Sequence, residues 1–161
     1  MKDRLYKMIA SVFYIGYLPV ASGTLGSLAA LVLYYFICNN TVTMSVAILT
    51  VVILGFITAG KVEKMFGEKD PGEIIIDEFG GMLISLYRIP PTMGYVVTGF
   101  LLFRFFDIVK PRPIRNLEKL KGSLGIMSDD LIAGMFTNIV LQVIYIVNLL
   151  WRSYSISVFP G

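Results

Sequence analysis

Apolar residues gather in five long runs along this chain, and short polar or proline-containing breaks separate them. The runs cover about residues 24–38, 42–60, 73–89, 92–109 and 129–152. Apolar runs of this length predict helices that approach the thickness of a bilayer. A helix of 16 residues covers only about 24 Å of a hydrocarbon core of about 30 Å. The first and third runs could therefore be partly buried by the others.

The composition places the chain among membrane proteins. It has 161 residues, of which 56% are hydrophobic and 16% are charged, whereas soluble domains carry about 25% charged residues. The mean hydropathy is +0.75. We therefore expect an all-α fold: a polytopic membrane helical bundle of about five apolar helices, in a single domain over residues 1–161. Residues 3–14 would add a short N-terminal amphipathic helix lying at the membrane surface.

The basic residues are unevenly distributed between the predicted loops. If the N-terminus is cytoplasmic and all five runs cross the membrane, residues 1–23, 61–72 and 110–128 face the cytoplasm. These segments hold 11 of the 14 lysines and arginines, as the positive-inside rule expects. The net charge of +3 is too small and too dispersed to indicate a nucleic-acid partner.

Five acidic residues lie in or beside the apolar runs, where an ionised carboxylate costs about 3 kcal/mol at a helix centre. They are Asp77, Glu78, Asp107, Asp129 and Asp130. The topology above places all five near the cytoplasmic ends of their helices. Several such acids together suggest a bound cation. Because the chain has no histidine, that cation must use oxygen ligands, which favours Mg²⁺, Mn²⁺ or Ca²⁺ over zinc.

Both acidic pairs also have a purely structural explanation. An acid pair in the first turn of a helix is favoured by the helix dipole, which would account for Asp77 and Glu78. Aspartate is a preferred N-cap, which would account for Asp129 or Asp130. Small residues follow the second pair by one turn and would leave space for an ion or water. Residues 122–128 are expected to form a flexible approach to this pair.

Three charged residues at a spacing of three end the fourth run. Arg104, Asp107 and Lys110 lie on roughly one face of a helix. They could form a local ion-pair ladder at the membrane interface. They could instead form a phosphate clamp with an acid beside it, since arginine binds phosphate in a bidentate manner and lysine acts as a point charge. Pro111 and Pro113 predict an extended exit from the helix.

Two groups of small residues add to this pattern. Residues 23–27 precede the first predicted helix, where free backbone N–H groups attract anions and Thr24 or Ser27 could add a hydroxyl. Thr24 could also be a simple N-cap. In the third run, Gly80 and Gly81 would let another helix or a ligand approach the backbone closely.

Taken together, these motifs resemble the phosphatidylglycerophosphatase A family. The matching segments, in family order, are residues 21–27, 76–78, 103–111 and 125–134. In the first segment, Ser22 and Leu25 stand where the family usually has proline and tryptophan. The resemblance implies a Mg²⁺-dependent phosphatase of the bacterial inner membrane, with its site facing the cytoplasm. Such an enzyme removes the terminal phosphate of phosphatidylglycerophosphate, a phospholipid substrate held in the membrane, to give phosphatidylglycerol.

The residue inventory narrows the chemistry. No cysteine is followed five residues later by arginine, no Asp-x-Asp pair exists and histidine is absent, which leaves direct attack by water activated by a carboxylate-held metal ion. The expected Mg²⁺ ligands are Asp77, Glu78, Asp129 and Asp130. Asp107 would orient or deprotonate the water. The phosphate would be held by Arg104 and Lys110, helped by Arg112, Thr24 and Ser27.

Two other function classes were weighed against this hypothesis. A small cation-coupled membrane transporter or channel subunit also uses intramembrane carboxylates, but its acids should lie near the middle of the membrane rather than at one end. An enzyme that transfers a phosphatidyl group would carry a long Asp-Gly…Gly…Asp…Asp motif, which is not found. The sequence leaves the oligomeric state open.

Overall fold

The computed structural model describes residues 1–117 and 119–158. Within these residues it contains α-helices, one turn of 3-10 helix at Ile15–Tyr17, and no strand. The helices are α1 (Lys2–Ala10), α2 (Ser22–Ile37), α3 (Thr41–Phe66), α4 (Ile76–Ser85), α5 (Met93–Val109), α6 (Arg112–Leu117) and α7 (Ser123–Val158). The prediction of an all-α fold is confirmed. The amphipathic N-terminal helix is present as α1, although it ends at Ala10.

The short helix α4 lies at the centre of the bundle. It packs against α2, α3, α5 and α7, and all of its residues except Glu78 and Ile84 are buried. A helix of 10 residues is about 15 Å long, half of a hydrocarbon core. The third apolar run is therefore a buried helix that the other helices enclose.

Glycines bring α4 and α7 into backbone contact. A Cβ atom added to Gly134 would collide with the carbonyl oxygen of Gly81. One added to Gly81 would lie 2.6 Å from the carbonyl oxygen of Asp130. The expected close helix approach at Gly81 is confirmed. The expected space one turn after Asp130 is absent, because the backbone of α4 fills it.

Side chains from neighbouring helices satisfy the backbone carbonyls at the end of α4. The amide of Asn138 in α7 donates to the carbonyl oxygens of Ser85 and Tyr87, at 3.1 and 2.8 Å. The hydroxyl of Tyr34 in α2 donates to the carbonyl oxygen of Ile89 at 3.1 Å. Carbonyls at a helix end have no partner within the helix. Because α2 and α7 supply these partners, the bonds fix the position of α4 in the bundle.

Three local expectations are wrong, and two of them concern where a helix begins. Helix α7 starts at Ser123, so residues 122–128 are not a flexible approach and neither Asp129 nor Asp130 is an N-cap. Burial of Met127 in the core favours this earlier start. Likewise α2 starts at Ser22, so Thr24 is not its cap. The third is the extended exit after α5. The helix α6 forms there instead, because a proline in the first turn of a helix loses no hydrogen bond.

Fewer helices than expected are long enough to span a membrane. Among the described residues, two helices meet the criteria of length and composition, Thr41–Phe66 and Ser123–Ser155. The other apolar helices have 16 residues in α2, 10 in α4 and 17 in α5. The expected membrane bundle of about five apolar helices therefore has fewer candidate spans than expected. Its third run is the short buried helix α4, as the alternative of partial burial allowed.

Apolar side chains nevertheless cover the outside of the bundle at helical spacing. The exposed large residues on α3, α5 and α7 include Val46, Leu49, Ile53, Ile57, Val97, Leu101, Phe105, Ile108, Ile139, Val143, Ile146 and Leu150. Contiguous apolar surface on this scale is typical of contact with lipid or with another apolar surface.

Candidate functional site

Three helix ends bring the five predicted acids together at one end of the bundle. The first turn of α4 carries Asp77 and Glu78, and the last turn of α5 carries Asp107. The second turn of α7 carries Asp129 and Asp130. These positions are far apart in the sequence, so their proximity depends on the packing of α4 against α5 and α7.

Three carboxylates form a compact cluster. One oxygen each from Asp77, Glu78 and Asp130 lies within 4.8 Å of the others. Asp77 and Asp130 are each only 4% exposed. Each of the three residues has a buried oxygen with no hydrogen-bond partner: Oδ1 of Asp77, Oε2 of Glu78 and Oδ1 of Asp130. Buried polar atoms are nearly always partnered, so this oxygen-only set fits a divalent cation such as Mg²⁺.

The electrostatics of the cluster oppose its ionisation when no cation is bound. Burial raises the pKa of Asp77 well above its usual range, and the charges of Glu78, Asp130 and Asp70 act in the same direction. Burial likewise raises the pKa of Glu78, to about 7, and the charge of Asp107 adds to this, while Arg104 opposes it. A bound cation would offset both the cost of burying these charges and their mutual repulsion.

Asp129 lies beside this cluster but has a different partner. Its Oδ2 atom is 2.6 Å from the ammonium nitrogen of Lys110, and the residue is 3% exposed. Its other oxygen, Oδ1, is buried without a hydrogen-bond partner. Lys110 is the C-cap of α5 and has a left-handed backbone, with φ of 43°. The expected set of four ligands is thus arranged as three neighbouring carboxylates and one ion pair.

Asp107 connects the acidic cluster to a guanidinium group. Its Oδ2 atom lies 2.6 Å from Nη1 of Arg104, one turn earlier in α5. Its charge also acts on both Glu78 and Asp130. The side chains of Arg104 and Asp107 are only 18% and 12% exposed, so this pair is largely buried at the edge of the site.

The first turn of α2 reaches the site through a glycine, Gly23. A Cβ atom on Gly23 would collide with Oε1 of Glu78 and would lie 3.1 Å from Nη1 of Arg104. This contact was not predicted, because the sequence pattern pointed to the hydroxyls of the turn. Ser27 is fully buried and donates to the carbonyl oxygen of Gly23 at 3.0 Å. Thr24 is partly exposed.

The remaining predicted residue and one unpredicted acid lie at the edge of the site. Arg112 is exposed and is the first residue of α6. Asp70 lies in the loop before α4, with a left-handed φ of 50°. With Glu63 and Lys69 it lines a cavity of about 230 Å³. Sequence reasoning missed Asp70 because it lies in a polar loop, where an acid is unremarkable. The roles assigned to all these residues remain predictions.

Comparison with known proteins points to one family. A family model described as phosphatidylglycerophosphatase A matches residues 8–145. The chain is 34% identical over 135 residues to "Phosphatidylglycerophosphatase A" of Escherichia coli, covering 82% of this chain and 78% of that protein. It is 38% identical over 138 residues to the protein of the same name in Haemophilus influenzae, covering 83% and 85%.

A third relative carries a different name. The chain is 37% identical over 145 residues to a "Putative phosphatidylinositol-3-phosphatase" of Bacteroides thetaiotaomicron, covering 84% of this chain and 91% of that protein. No solved structure matches the chain.

Proposed function

Because this chain belongs to the phosphatidylglycerophosphatase A family, we propose that it hydrolyses the terminal phosphomonoester of phosphatidylglycerophosphate to phosphatidylglycerol and phosphate. The observation that carries this proposal is the buried carboxylate cluster of Asp77, Glu78 and Asp130, with three unpartnered oxygens. Two basic side chains that suit a phosphate, Arg104 and Lys110, lie beside it.

The donor set supports Mg²⁺ as the cofactor. All the candidate ligands are carboxylate oxygens, which suit a hard cation. Asp77, Glu78 and Asp130 would hold the ion, with Asp129 within the same group of helix ends. When bound, the ion supplies an activated water and offsets the charge that develops on the phosphate.

The residues around the cluster divide the remaining tasks. Asp107 accepts a proton from water or orients it, since it lies between the cluster and Arg104. Arg104 and Lys110 bind the phosphate oxygens, and Asp129 holds the lysine in place before the substrate arrives. Gly23 has no side chain, so the carboxylate of Glu78 and the guanidinium of Arg104 can lie against the first turn of α2.

The arrangement also suits a substrate anchored in a bilayer. We propose that α3 and α7 cross the bacterial inner membrane and that the end bearing the acids faces the cytoplasm, because the basic side chains Lys7, Lys61 and Lys110 lie near that end. The acyl chains then stay among lipids while the headgroup reaches the site. A transporter fits less well, because its acids should lie between two entrances and not at one end.

Phosphate release from purified protein tests the proposal. Phosphatidylglycerophosphate is compared with phosphatidic acid and with phosphatidylinositol 3-phosphate, the class in one relative's name, each with Mg²⁺ or with a chelator. We expect Mg²⁺-dependent release that is fastest from phosphatidylglycerophosphate. Glu78→Gln should remove it, and Glu68→Gln, at an exposed position outside the cluster, should not. Equal phosphate release with the chelator would refute the proposed dependence on Mg²⁺. Faster release from another lipid would refute phosphatidylglycerophosphate as the preferred substrate.

A further inference from the structure

A second surface near the site presents large apolar side chains to the outside. We define residues 13–20, between α1 and α2, as the lip. Its exposed fractions are 77% for Phe13, 46% for Tyr14, 42% for Tyr17, 53% for Leu18 and 68% for Val20. This is a local cluster at the charged end of the bundle, and it is separate from the stripes on α3, α5 and α7.

The lip is held in a fixed shape. Val12, Phe13 and Tyr14 all have left-handed backbones, with φ of 47°, 56° and 66°, a conformation that bulky residues rarely adopt. The amide of Phe13 donates to the carbonyl of Met8 at 2.8 Å. The amide of Tyr14 donates to the hydroxyl of Ser11 at 3.1 Å. The exposure of these side chains is therefore built into a hydrogen-bonded loop.

The lip is joined to the segment that carries the acids. A Cβ atom on Gly16 would collide with the carbonyl oxygen of Glu73, four residues before Asp77. The backbone of Ile75 donates to the carbonyl of Ala10, at the end of α1, at 3.0 Å. Three residues after Val20, the chain reaches Gly23 and the carboxylate of Glu78. The lip therefore adjoins the segment that carries Asp77 and Glu78.

The position of the lip along the bundle is that of a membrane–water boundary. The ring of Tyr17 lies 6.4 Å from that of Phe66, the last residue of α3. Since α3 is one of the two helices able to span a bilayer, its end marks the level of the interface. Tyrosine and other aromatic residues are enriched at that level.

Basic residues lie beside the lip and indicate its partner. The hydroxyl of Tyr14 donates to the backbone carbonyl of Arg4 at 3.3 Å, and Arg4 is exposed. The ammonium of Lys7 lies 4.7 Å from the ring centre of Phe66, beside Tyr17. Lys61 lies over the ring of Tyr6, at 4.3 Å. Aromatic and aliphatic side chains mixed with cations match a layer of anionic lipid headgroups.

We propose that the lip inserts into the headgroup layer of an anionic phospholipid bilayer beside the site, so that a lipid substrate enters across it. This inference rests on the membrane placement given under the proposed function. It adds a specific contact, in which Phe13 and Leu18 enter the apolar boundary while Arg4 and Lys7 meet lipid phosphates.

The first test measures position and does not depend on activity. Phe13→Trp is made in a Trp151→Phe background, so that the added tryptophan is the single one in the chain, and the protein is reconstituted in phosphatidylglycerol vesicles. Lipids brominated on their acyl chains should quench its emission, and aqueous acrylamide should not. Glu68→Trp in the same background is the control, which acrylamide should quench. Emission from position 13 that matches the control, or that neither agent quenches because protein covers it, would overturn the proposal.

The second test measures function at the surface. Phe13→Ser combined with Leu18→Ser should raise the apparent KM for long-chain lipid in vesicles about tenfold or more, with kcat unchanged. Arg4→Gln with Lys7→Gln should raise it about fivefold per side chain in anionic vesicles and leave it unchanged in zwitterionic ones. Hydrolysis of a water-soluble phosphomonoester with the same headgroup should not change in any of these variants. Equal losses of activity on the soluble and the vesicle substrates would overturn the proposed membrane contact of the lip. If the wild type hydrolysed neither substrate, the proposed phosphatase function would be overturned, and the quenching test of the lip would still stand.

Discussion

The ammonium nitrogen of Lys110 lies 2.6 Å from a carboxylate oxygen of Asp129, and this pair sets Asp129 apart from the three carboxylates that lie together. A carboxylate paired with a lysine is a weaker candidate for a metal ligand than a carboxylate in a cluster that has no cationic partner. Asp129 and Asp130 therefore have different neighbours although they are adjacent in the sequence, and we predict separable roles for them.

Replacing Asp129 by asparagine should lower kcat without weakening Mg²⁺ activation. We expect a loss of about 10–100-fold, as is typical when an orienting partner is removed, because Lys110 loses the group that positions it. The Mg²⁺ concentration for half-maximal activity should stay near that of the wild type. A large increase in that concentration would instead make Asp129 a ligand.

Replacing Glu78 by glutamine, or Asp130 by asparagine, should act on the metal. Each change removes one of three clustered oxygens, so we expect activity to fall by more than about 100-fold and the Mg²⁺ requirement to rise. Isothermal titration with Mg²⁺ measures the binding directly. Glu68→Gln provides the control for loss of an exposed acid. Normal Mg²⁺ binding in both cluster variants would show that the ion lies elsewhere.

Two glycine substitutions should have different effects, one on activity and the other on stability. Gly23→Ala pushes against the flexible carboxylate of Glu78 and the tip of Arg104, so it should cost about 100-fold in kcat/KM through misplacement of these groups, with little change in stability. Gly134→Ala pushes against the rigid backbone of Gly81 and should destabilise the protein by about 1–3 kcal/mol.

Thermal unfolding in detergent and turnover of the surviving folded protein distinguish the two effects. If Gly23→Ala melts earlier yet turns over normally, the glycine is needed for packing alone.

The metal-free protein should become less stable as the pH rises. Burial raises the pKa of Glu78 from 4.5 to about 7, so between these values the folded state keeps a proton that the unfolded chain has lost. Stability falls wherever the folded state binds more protons, so the free energy of unfolding should decrease from about pH 4.5 to about pH 7. The raised pKa of Asp77 extends this trend upward.

Added Mg²⁺ should reverse the trend, since it binds the deprotonated carboxylates. Melting curves across this pH range, with Mg²⁺ or chelator, measure both effects, and Glu78→Gln should flatten the chelator series. A metal-free protein that becomes more stable over this range would contradict the assignment.

The sequence predicted the helical class and the gathering of the acids well, because apolar runs and charge placement are strong local signals. It offered partial burial of the run containing Asp77 as an alternative, which the structure confirms as a 10-residue buried helix, but it could not decide the point because a buried helix and a spanning helix have the same composition. It missed the start of α7 at Ser123 because glycine and serine there suggested a loop, whereas packing of Met127 decides the outcome.

The site shows the same division between local and tertiary information. The three-residue spacing of Arg104, Asp107 and Lys110 was visible in the sequence, and the structure pairs the first two. The partner of Lys110 is Asp129 in another helix, which no local pattern specifies. The role of Gly23 likewise depends on a contact with Glu78 across the bundle. Only the packing of α2 and α7 around α4 creates these neighbours.

The carbonyl oxygens of Ser85 and Tyr87 take their hydrogen bonds from Asn138, which the ribosome adds 53 residues after Ser85. In lipid, unsatisfied carbonyls cost several kcal/mol each. During synthesis, the helix that carries Asp77 and Glu78 therefore lacks the hydrogen bonds that fix its end until α7, the last long helix, has been translated. Assembly of the carboxylate cluster is thus a late event in biogenesis, and a chain interrupted before Asn138 lacks the hydrogen bonds that fix the end of α4.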